Sequence, residues 1–232
     1  MTKEFYKESF KALVLENIAC DTYYIGTGNP SANILIVGKE GSCEEYSMEE
    51  ICFVKQWLPK IENDESLNLK RTTWNKTEGH TWSKYQKLHD YIFDVDKNQR
   101  EGFDFEERFF TTEMNTNRSK NTRSASKEGM QKRKETFFKS DFIQQFPVTV
   151  LACGDYIQNN DKIREIDDIF GVGFDKKYPN ENTKNQQSFW THYNANKTKL
   201  VIHTRQLSCN VTNELLKEMA NVIKSFLGTN LI

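Results

Sequence analysis

Two residues of types that catalyse hydrolysis lie close to the ends of short apolar runs in this chain. Glu40 follows the run Asn33–Val37, and His203 lies near the end of the run Lys199–Thr204. A carboxylate can orient a water molecule and stabilise a positively charged transition state, while a histidine can stabilise the charge on a leaving group. Glu40 and His203 therefore indicate a hydrolytic site, provided that the fold brings both side chains into one cleft.

A run of basic residues is the second feature of the sequence that could have a functional role. Between Arg118 and Lys139 the chain has eight basic residues and only two acidic ones, mostly within a predicted loop over residues 116–136. Basic residues that neutralise phosphate groups drive nucleic-acid binding, and the first candidates for such contacts are Arg118, Lys120 and Arg123. The alternative interpretation is a solvated loop, which would contribute nothing to binding.

The size of the chain predicts one domain. It has 232 residues, 37% of them hydrophobic and 12% aromatic, which is enough for one sizeable core under a polar surface. We expect a single domain over residues 1–232 with an N-terminal helical extension over residues 1–32. No stretch approaches the roughly 20 apolar residues of a membrane helix, and the N-terminus is charged and amphipathic rather than signal-like. We therefore expect a cytoplasmic monomer with no membrane partner.

The spacing of the cysteines and the lack of glycine-rich nucleotide-binding motifs argue against several classes of site. The five cysteines are widely spaced and include no CxxC pair, so neither a disulfide framework nor a zinc knuckle is indicated. We expect Cys52 and Cys153 to be reduced and buried. Neither a Walker-type loop nor a G-x-G-x-x-G loop is present in the sequence. No metal ion or cofactor is expected.

Short apolar runs alternate with amphipathic segments along the chain, which is the pattern of strands connected by helices. The predicted strands are Asn33–Val37, Arg108–Thr112, Val148–Cys153, Phe189–Asn194 and Lys199–Thr204. The predicted helices are Lys3–Glu16, Tyr46–Leu58, Trp82–Phe93, Phe137–Phe146, Ile163–Phe170 and Val211–Leu227. The polar stretch Glu62–Gly79 and the segment that begins at Gly171 are predicted loops.

This alternation predicts an α/β fold, namely a three-layer α/β/α arrangement around a central, mainly parallel, four-stranded sheet. The four strands are expected to be the runs that end at Gly38, Thr112, Gly154 and Thr204. Ligands of such sheets bind at the carboxyl ends of the strands, close to the point where the strand order reverses. The turns expected to form the site are Gly38–Ser42, Thr112–Asn115, Gly154–Tyr156 and His203–Ser208.

Several segments, taken in order, resemble the motifs of the uracil-DNA glycosylase superfamily. Ile34–Glu40, which reads ILIVGKE, resembles the first motif, in which a buried strand ends in Gly and a water-positioning Asp or Asn follows. His203–Ser208, which reads HTRQLS, resembles the last motif, His-Pro-Ser-x-Leu-Ser. Between them, Gly79–Trp82, Phe109–Asn115 and Val148–Gly154 are similar to the segments that supply a stacking aromatic, a base-reading Asn and a core strand.

The resemblance implies the fold of that superfamily and hydrolysis of the N-glycosidic bond of uracil or a related deaminated base in DNA. It implies that Glu40 positions water, that His203 stabilises the leaving base and that Trp82 stacks on that base. The remaining expected roles are base binding by Gly38, Gly41 and Asn115, and DNA binding by Leu207, Arg205, Ser208, Arg118, Lys120 and Arg123. Leu207, an apolar residue among polar neighbours, would act as a wedge in the vacated base stack.

Each of these residues also has a structural interpretation. Glu40 can cap a helix that begins nearby, where the helix dipole favours an anion. His203 can be a structural histidine at a strand end, and Asn115 can be a turn residue. Trp82 and Leu207 can belong to the hydrophobic core.

Three functions follow from these alternatives. A DNA glycosylase is favoured by the joint presence of the two candidate catalytic residues and Leu207. A non-enzymatic nucleic-acid-binding module of the same fold is favoured by the departures from the family pattern at Gly41, Thr204 and Arg205. A hydrolase of free nucleosides could use the same turns, but it would leave the basic run and Leu207 unexplained.

Overall fold

The computed structural model of the chain describes residues 6–41, 52–63, 65, 80–96, 102–119, 122–179, 187–208 and 210–230. The strands are β1 (Thr27–Gly28), β2 (Ile34–Gly38), β3 (Phe109–Glu113), β4 (Val148–Leu151), β5 (Gly173–Tyr178), β6 (Phe189–Tyr193) and β7 (Leu200–Thr204). The helices are α1 (Glu8–Glu16), α2 (Val54–Glu62), α3 (His80–Phe93), α4 (Met130–Glu135), α5 (Asp141–Gln144), α6 (Glu165–Phe170) and α7 (Asn213–Asn230). Short 3-10 turns occur at Phe105–Glu107, Phe137–Lys139 and Gly154–Tyr156.

The described strands form one seven-stranded sheet in the order β1-β3-β2-β4-β7-β6-β5. Its central strands β3, β2, β4 and β7 are parallel neighbours, while β1 on one side and β6 and β5 on the other pair antiparallel. The predicted α/β class is confirmed, and the runs ending at Gly38, Thr112, Gly154 and Thr204 lie side by side in parallel. The prediction of a four-stranded, mainly parallel sheet is wrong, because three antiparallel strands extend this centre into a mixed sheet.

The sequence pattern does not predict strand β5. Its residues, GFDKKY, show no apolar alternation, and the first four are exposed, so the sequence predicts a loop where the structure has a strand. β5 pairs with β6 at the edge of the sheet. Charged residues such as Lys176 and Lys177 suit an edge strand, because they oppose pairing with a further chain.

Helices bury both faces of the sheet in two separate hydrophobic clusters. On one face Trp57 of α2 shares a cluster with Leu35 and Val37 of β2, together with residues of α1, α5 and α6. On the other face Ile34 and Ile36 share a cluster with residues of α3 and α7. Because side chains alternate along a strand, the continuous apolar run of β2 serves both faces.

The segment predicted as an N-terminal helical extension contributes directly to the first cluster. Phe10 of α1 is fully buried, and its ring contacts that of Trp57 edge-on with centroids 4.9 Å apart. The Trp57 indole donates a hydrogen bond of 3.0 Å to the Gly26 carbonyl, just before β1 joins the sheet. One face of α1, including Phe10, Leu13 and Val14, is therefore part of the core.

Two predicted helices differ from those observed. Ser140 has extended backbone, with ψ of 151°, and it divides the predicted helix Phe137–Phe146 into a 3-10 turn and the short helix α5. α2 continues past Pro59 to Glu62 although the sequence predicts its end there. Proline removes one helical hydrogen bond, but the burial of Trp57 on the same helix holds the segment in place.

The predictions about the cysteines and about membrane helices both concern features that the structure describes. Cys52 and Cys153 are buried and are not part of a disulfide bond, as predicted. In the part of the chain that the structure describes, no helix is long and apolar enough to cross a membrane.

Candidate functional site

The candidate site lies where the order of the parallel strands reverses. From β2 the chain moves outward to β3 and then returns to β4 on the other side of β2. Ligands of open α/β sheets bind in the crevice beyond the carboxyl ends of the strands at such a point. The turns after β2, β3, β4 and β7 carry the polar residues of the site.

Two acidic side chains occupy the ends of neighbouring strands. Glu113 ends β3, opposite Gly38 in the register with β2, and Glu40 follows β2 by two residues. A Cβ atom at position 38 would overlap the Glu113 carboxyl group, so Gly38 is what allows this acid to lie against the neighbouring strand. Gly38 thus has a packing role at the site, while the base-binding role that the resemblance implies stays a prediction.

Burial and the neighbouring acid keep Glu113 protonated. Burial, followed by the charge of Glu40, raises the pKa of Glu113 to about 8, while the positive charge of Arg133 opposes the rise. A carboxyl group with a pKa of about 8 is mostly protonated at neutral pH, so Glu113 can act there as a proton donor. A buried carboxyl group with a raised pKa beside a second acid is typical of sites of acid–base chemistry.

Three polar atoms are buried at this edge, namely one carboxyl oxygen each of Glu40 and Glu113 and the hydroxyl of Tyr156. The Glu113 oxygen has no hydrogen-bond partner among the described residues, whereas the Tyr156 hydroxyl lies close enough to Glu40 for a hydrogen bond between them to raise the Tyr156 pKa. The other oxygen of Glu40 accepts a hydrogen bond of 2.8 Å from the Thr122 hydroxyl. Since a buried polar group without a partner costs roughly 1–3 kcal/mol, their accumulation at one strand edge favours a binding site over a purely structural arrangement.

Tyr156 connects the acid pair to the turn after β4. It is only 1% exposed, and burial, followed by the neighbouring Glu40 carboxylate, raises the pKa of its hydroxyl above the ordinary value. Lys39 lies over its ring, with Nζ 4.7 Å from the centroid, and Lys127 approaches the same ring at 4.9 Å. Positive charge therefore surrounds the aromatic part of the site.

An ion pair spans the crevice between β2 and β4. The Lys39 ammonium group lies 2.6 Å from a carboxylate oxygen of Asp155, and this hydrogen bond lowers the pKa of Asp155. Lys39 is mostly buried at its side chain whereas Asp155 is largely exposed. Sequence reasoning missed Glu113, Lys39, Asp155 and Tyr156 as functional candidates, although the strand-end rule pointed to the turns that contain all four of them.

The side chain of His203 is hydrogen-bonded to the backbone. Its Nε2 atom lies 2.8 Å from the carbonyl oxygen of Gly154, and because a carbonyl only accepts, Nε2 carries the proton. Burial lowers the pKa of His203, so the ring is neutral, with one N–H that is already in use. The geometry therefore favours the structural interpretation, in which His203 fixes the turn after β4, over stabilisation of a leaving base.

Asn115 and Gly41 hold the loop beyond β3. Asn115 is fully buried, its amide nitrogen donates to the Ser126 carbonyl at 2.8 Å, and its amide oxygen accepts from the Asn117 backbone at 3.0 Å. These contacts favour the interpretation of Asn115 as a turn residue, because the loop uses both ends of its amide, and base reading by Asn115 stays a prediction. The Gly41 carbonyl accepts from the Ser119 backbone, which extends the contact between the two turns.

Leu207 packs in the core, which favours its structural interpretation, and the wedge role stays a prediction. It is 1% exposed and lies in the cluster formed with α3 and α7, because the turn after β7 folds back over the sheet. Trp82 packs against the same cluster but is only partly buried. It lies one helical turn before Tyr85, whose pKa is raised mainly by burial and then by Glu113, so this part of α3 faces the acid pair.

The basic run divides into structural and exposed residues. Arg133 is buried, and its guanidinium donates to the carbonyl groups of Tyr24 and Glu113 and to the Thr112 hydroxyl at 2.9–3.0 Å. Lys134 is also buried and forms a 3.0 Å ion pair with a glutamate of α6. These two residues stabilise the fold and are not available to phosphate.

The remaining predicted DNA contacts differ in exposure. Arg123 and Arg205 are exposed, whereas Arg118 and Ser208 are half-buried. Lys127, a further residue of the basic run, is also exposed. Lys120 lies outside the described residues. The exposed residues Arg123 and Lys127 belong to the loop that also supplies Thr122 to Glu40, so they are the best placed of the basic run to meet a charged substrate.

A second cluster, at His89, Asp90 and Asp104, has the spacing of metal ligands, with candidate ligand atoms within 4.8 Å of one another. The Gln86 amide nitrogen lies between them and donates to the two carboxylates at 2.9 and 2.6 Å. Its amide oxygen accepts from the backbone N–H groups of Asp104 and Phe105, which fixes the orientation of the amide. This cluster is therefore a satisfied structural network around Gln86.

Comparison of the chain with known protein families, with curated proteins and with solved structures found no match. The functional inference rests on the residues themselves.

Proposed function

We propose that the protein is a glycosylase-like hydrolase that cleaves the N-glycosidic bond of uracil or a related deaminated base in DNA. The observation that carries this proposal is the acid pair, in which Glu113 is protonated beside Glu40 at the strand-order reversal. Hydrolysis of an N-glycosidic bond needs an anion near a cationic sugar and a proton donor near a departing base. The pair supplies both from adjacent strand ends.

In the proposed reaction Glu40 orients a water molecule toward the anomeric carbon and accepts its proton. The bond between this carbon and the base nitrogen breaks, and its electron pair leaves with the base. Glu113 donates a hydrogen bond or its proton to the base, in the role that the sequence assigns to His203. The cationic sugar is stabilised by the Glu40 carboxylate until water adds to it.

The surroundings of the pair support binding of a flat, charged substrate. Trp82 is partly exposed on α3, one helical turn before Tyr85, which is close enough to Glu113 for that acid to raise its pKa, and we propose that the Trp82 ring offers an aromatic surface for a base. Arg123, Lys127 and Arg205 are exposed cations at or near the same strand edge and offer contacts to phosphate. The motif resemblance to uracil-DNA glycosylases supports DNA as the first substrate to test.

A second candidate is a hydrolase of free nucleosides. It is favoured by the burial of Leu207 in the core, because packing in the core accounts for an apolar residue at that position without insertion into a DNA base stack. Arg133 and Lys134 are likewise buried, so their place in the fold accounts for part of the basic run without contact to DNA. The acid pair would perform the same chemistry on either substrate.

The test is a cleavage assay with two classes of substrate. Oligonucleotides with one uracil, hypoxanthine or xanthine, single-stranded and in duplex, are incubated with the protein and treated with alkali to reveal abasic sites. Free nucleosides are followed in parallel by release of the base. Release from oligonucleotides supports the first proposal, release only from nucleosides supports the second, and release from neither, with retained oligonucleotide binding, leaves a non-enzymatic binding module.

A further inference from the structure

A cavity lies at the opposite edge of the sheet from the acid pair. Its volume is about 370 Å³, and its lining includes Pro147, which precedes β4, and Lys199, which precedes β7. Phe170 at the end of α6 and Asn194 at the end of β6 complete two of its walls. The cavity therefore faces the amino ends of the parallel strands and is separate from the candidate active site.

Lys199 is a buried cation without an anionic partner among the described residues. Its side chain is 8% exposed in total, and its ammonium group donates to the Gln144 amide oxygen at 2.6 Å and lies 5.8 Å from the Phe170 ring centroid. Burial alone lowers the pKa of Lys199 to about 8. A neutral amide oxygen satisfies one hydrogen of the ammonium group but leaves its charge uncompensated, which is costly for a buried ion.

Two further groups make the same region favourable to an anion. Gln145 also lines the cavity, and its buried amide nitrogen has no hydrogen-bond partner among the described residues, while its amide oxygen accepts from the Ser9 hydroxyl at 2.8 Å. Lys7 is half-buried over Phe146, a lining residue, and burial lowers the pKa of Lys7 as well. One desolvated cation and a spare amide donor thus line the cavity, and a second cation, Lys7, lies over the ring of the lining residue Phe146.

We propose that this cavity binds a small anion bearing a carboxylate or phosphate group, with the Lys199 ammonium group as its counter-charge and the Gln145 amide as a second donor. Charge-assisted hydrogen bonds to buried ammonium groups are among the strong ones in proteins. The bound anion offsets the cost of burying Lys199. This inference does not depend on the proposed function, since the site lies at the other edge of the sheet.

The experiment titrates the full chain separately with inorganic phosphate and with acetate, and follows backbone amide signals by NMR together with the melting temperature. Ionic strength is held constant with sodium chloride, so that general screening contributes equally throughout. Lys199→Met removes the counter-charge and keeps an unbranched side chain that is one heavy atom shorter. Lys197→Met is the matched control, because Lys197 lies in the same β6–β7 turn but is exposed.

We expect saturable binding of at least one probe, with shifts confined to residues of the cavity and a rise in melting temperature. Affinity should fall about tenfold or more in Lys199→Met and remain unchanged in Lys197→Met, since a hydrogen bond to a charged group is worth roughly that factor. Which probe binds more tightly distinguishes a phosphate from a carboxylate ligand. Gln145→Glu, which adds a negative charge to the cavity wall, should also weaken binding.

Two results would overturn the inference. One is the lack of saturable binding by the wild-type protein at millimolar concentrations of both probes. The other is equal loss of binding in Lys197→Met and Lys199→Met, which would indicate diffuse surface attraction. Should Lys199→Met fail to fold, Gln145→Glu decides the question, and unchanged binding in that variant would contradict a site in this cavity.

Discussion

The carboxyl group of Glu113 lies directly against Gly38, its register partner on the neighbouring parallel strand. No other residue type at position 38 would leave room for the acid in this position. Because Glu40 follows Gly38 by two residues, the same contact brings the two acids into one environment, where the charge of Glu40 helps to raise the pKa of Glu113.

Substitution Gly38→Ala should therefore displace Glu113 rather than unfold the protein. The added methyl group overlaps the end of a flexible side chain, which can turn away. We expect the pKa of Glu113, followed by carboxyl NMR, to fall toward its ordinary value, and catalysis to fall with it. Gly173→Ala is the control, since a methyl group there meets nothing within 4 Å; an unchanged Glu113 pKa in Gly38→Ala would refute the role of this contact.

The raised pKa of Glu113 also predicts how stability depends on pH. The folded protein keeps this proton up to about pH 8, whereas the unfolded chain releases it near the ordinary value of 4.5. The folded state then binds more protons between these values, so this group makes the free energy of unfolding fall as pH rises through the window.

Glu113→Gln should remove that dependence and should be more stable than the wild type at the alkaline end. Urea denaturation from about pH 5 to about pH 9 measures it. Glu128→Gln, which changes an exposed acid of the neighbouring loop, should keep the wild-type slope. Parallel curves for wild type and Glu113→Gln would show that Glu113 titrates normally.

Leu207→Ala should behave as a core truncation. Its side chain is 1% exposed in a cluster with α3 and α7, and loss of a buried leucine costs about 2–5 kcal/mol. We expect a large fall in melting temperature with an unchanged ratio of duplex to single-strand activity. Leu15→Ala, at a 51% exposed position of α1, is the control. Near-normal stability with selective loss of duplex activity would restore the wedge.

The exposed part of the basic run should govern the salt dependence of DNA binding. The double variant Arg123→Ala, Lys127→Ala should flatten the log–log salt slope by about two units if both residues contact phosphate. Fluorescence anisotropy with a labelled oligonucleotide at several salt concentrations measures the slope. Lys197→Ala with Lys217→Ala removes the same charge from exposed positions outside the run. If both double variants lower the slope equally, the attraction is not specific to this loop.

The sequence predicts the central strands well because each is a short apolar run that serves two buried faces. It does not reveal β5, whose residues are mostly exposed at a sheet edge and so carry no apolar period. At the site, the strand-end rule locates the turns but does not say which side chain within a turn meets another chain segment. His203 and Asn115 are of catalytic types and bind backbone instead, while Glu113 becomes important through Gly38, a contact that depends on strand register.

The most direct measurement of the proposed chemistry is the pH–rate profile of base release for the wild type, Glu40→Gln and Glu113→Gln, with Glu128→Gln as the control. We predict that Glu40→Gln lowers the rate by about 10²–10⁴-fold, as expected for loss of a general base. The wild-type rate should fall on the alkaline side as the Glu113 proton is lost, at a pKa of about 8. This alkaline limb should be absent from Glu113→Gln and present in Glu128→Gln. Full activity in Glu40→Gln, or an alkaline limb that persists in Glu113→Gln, would contradict catalysis by this acid pair.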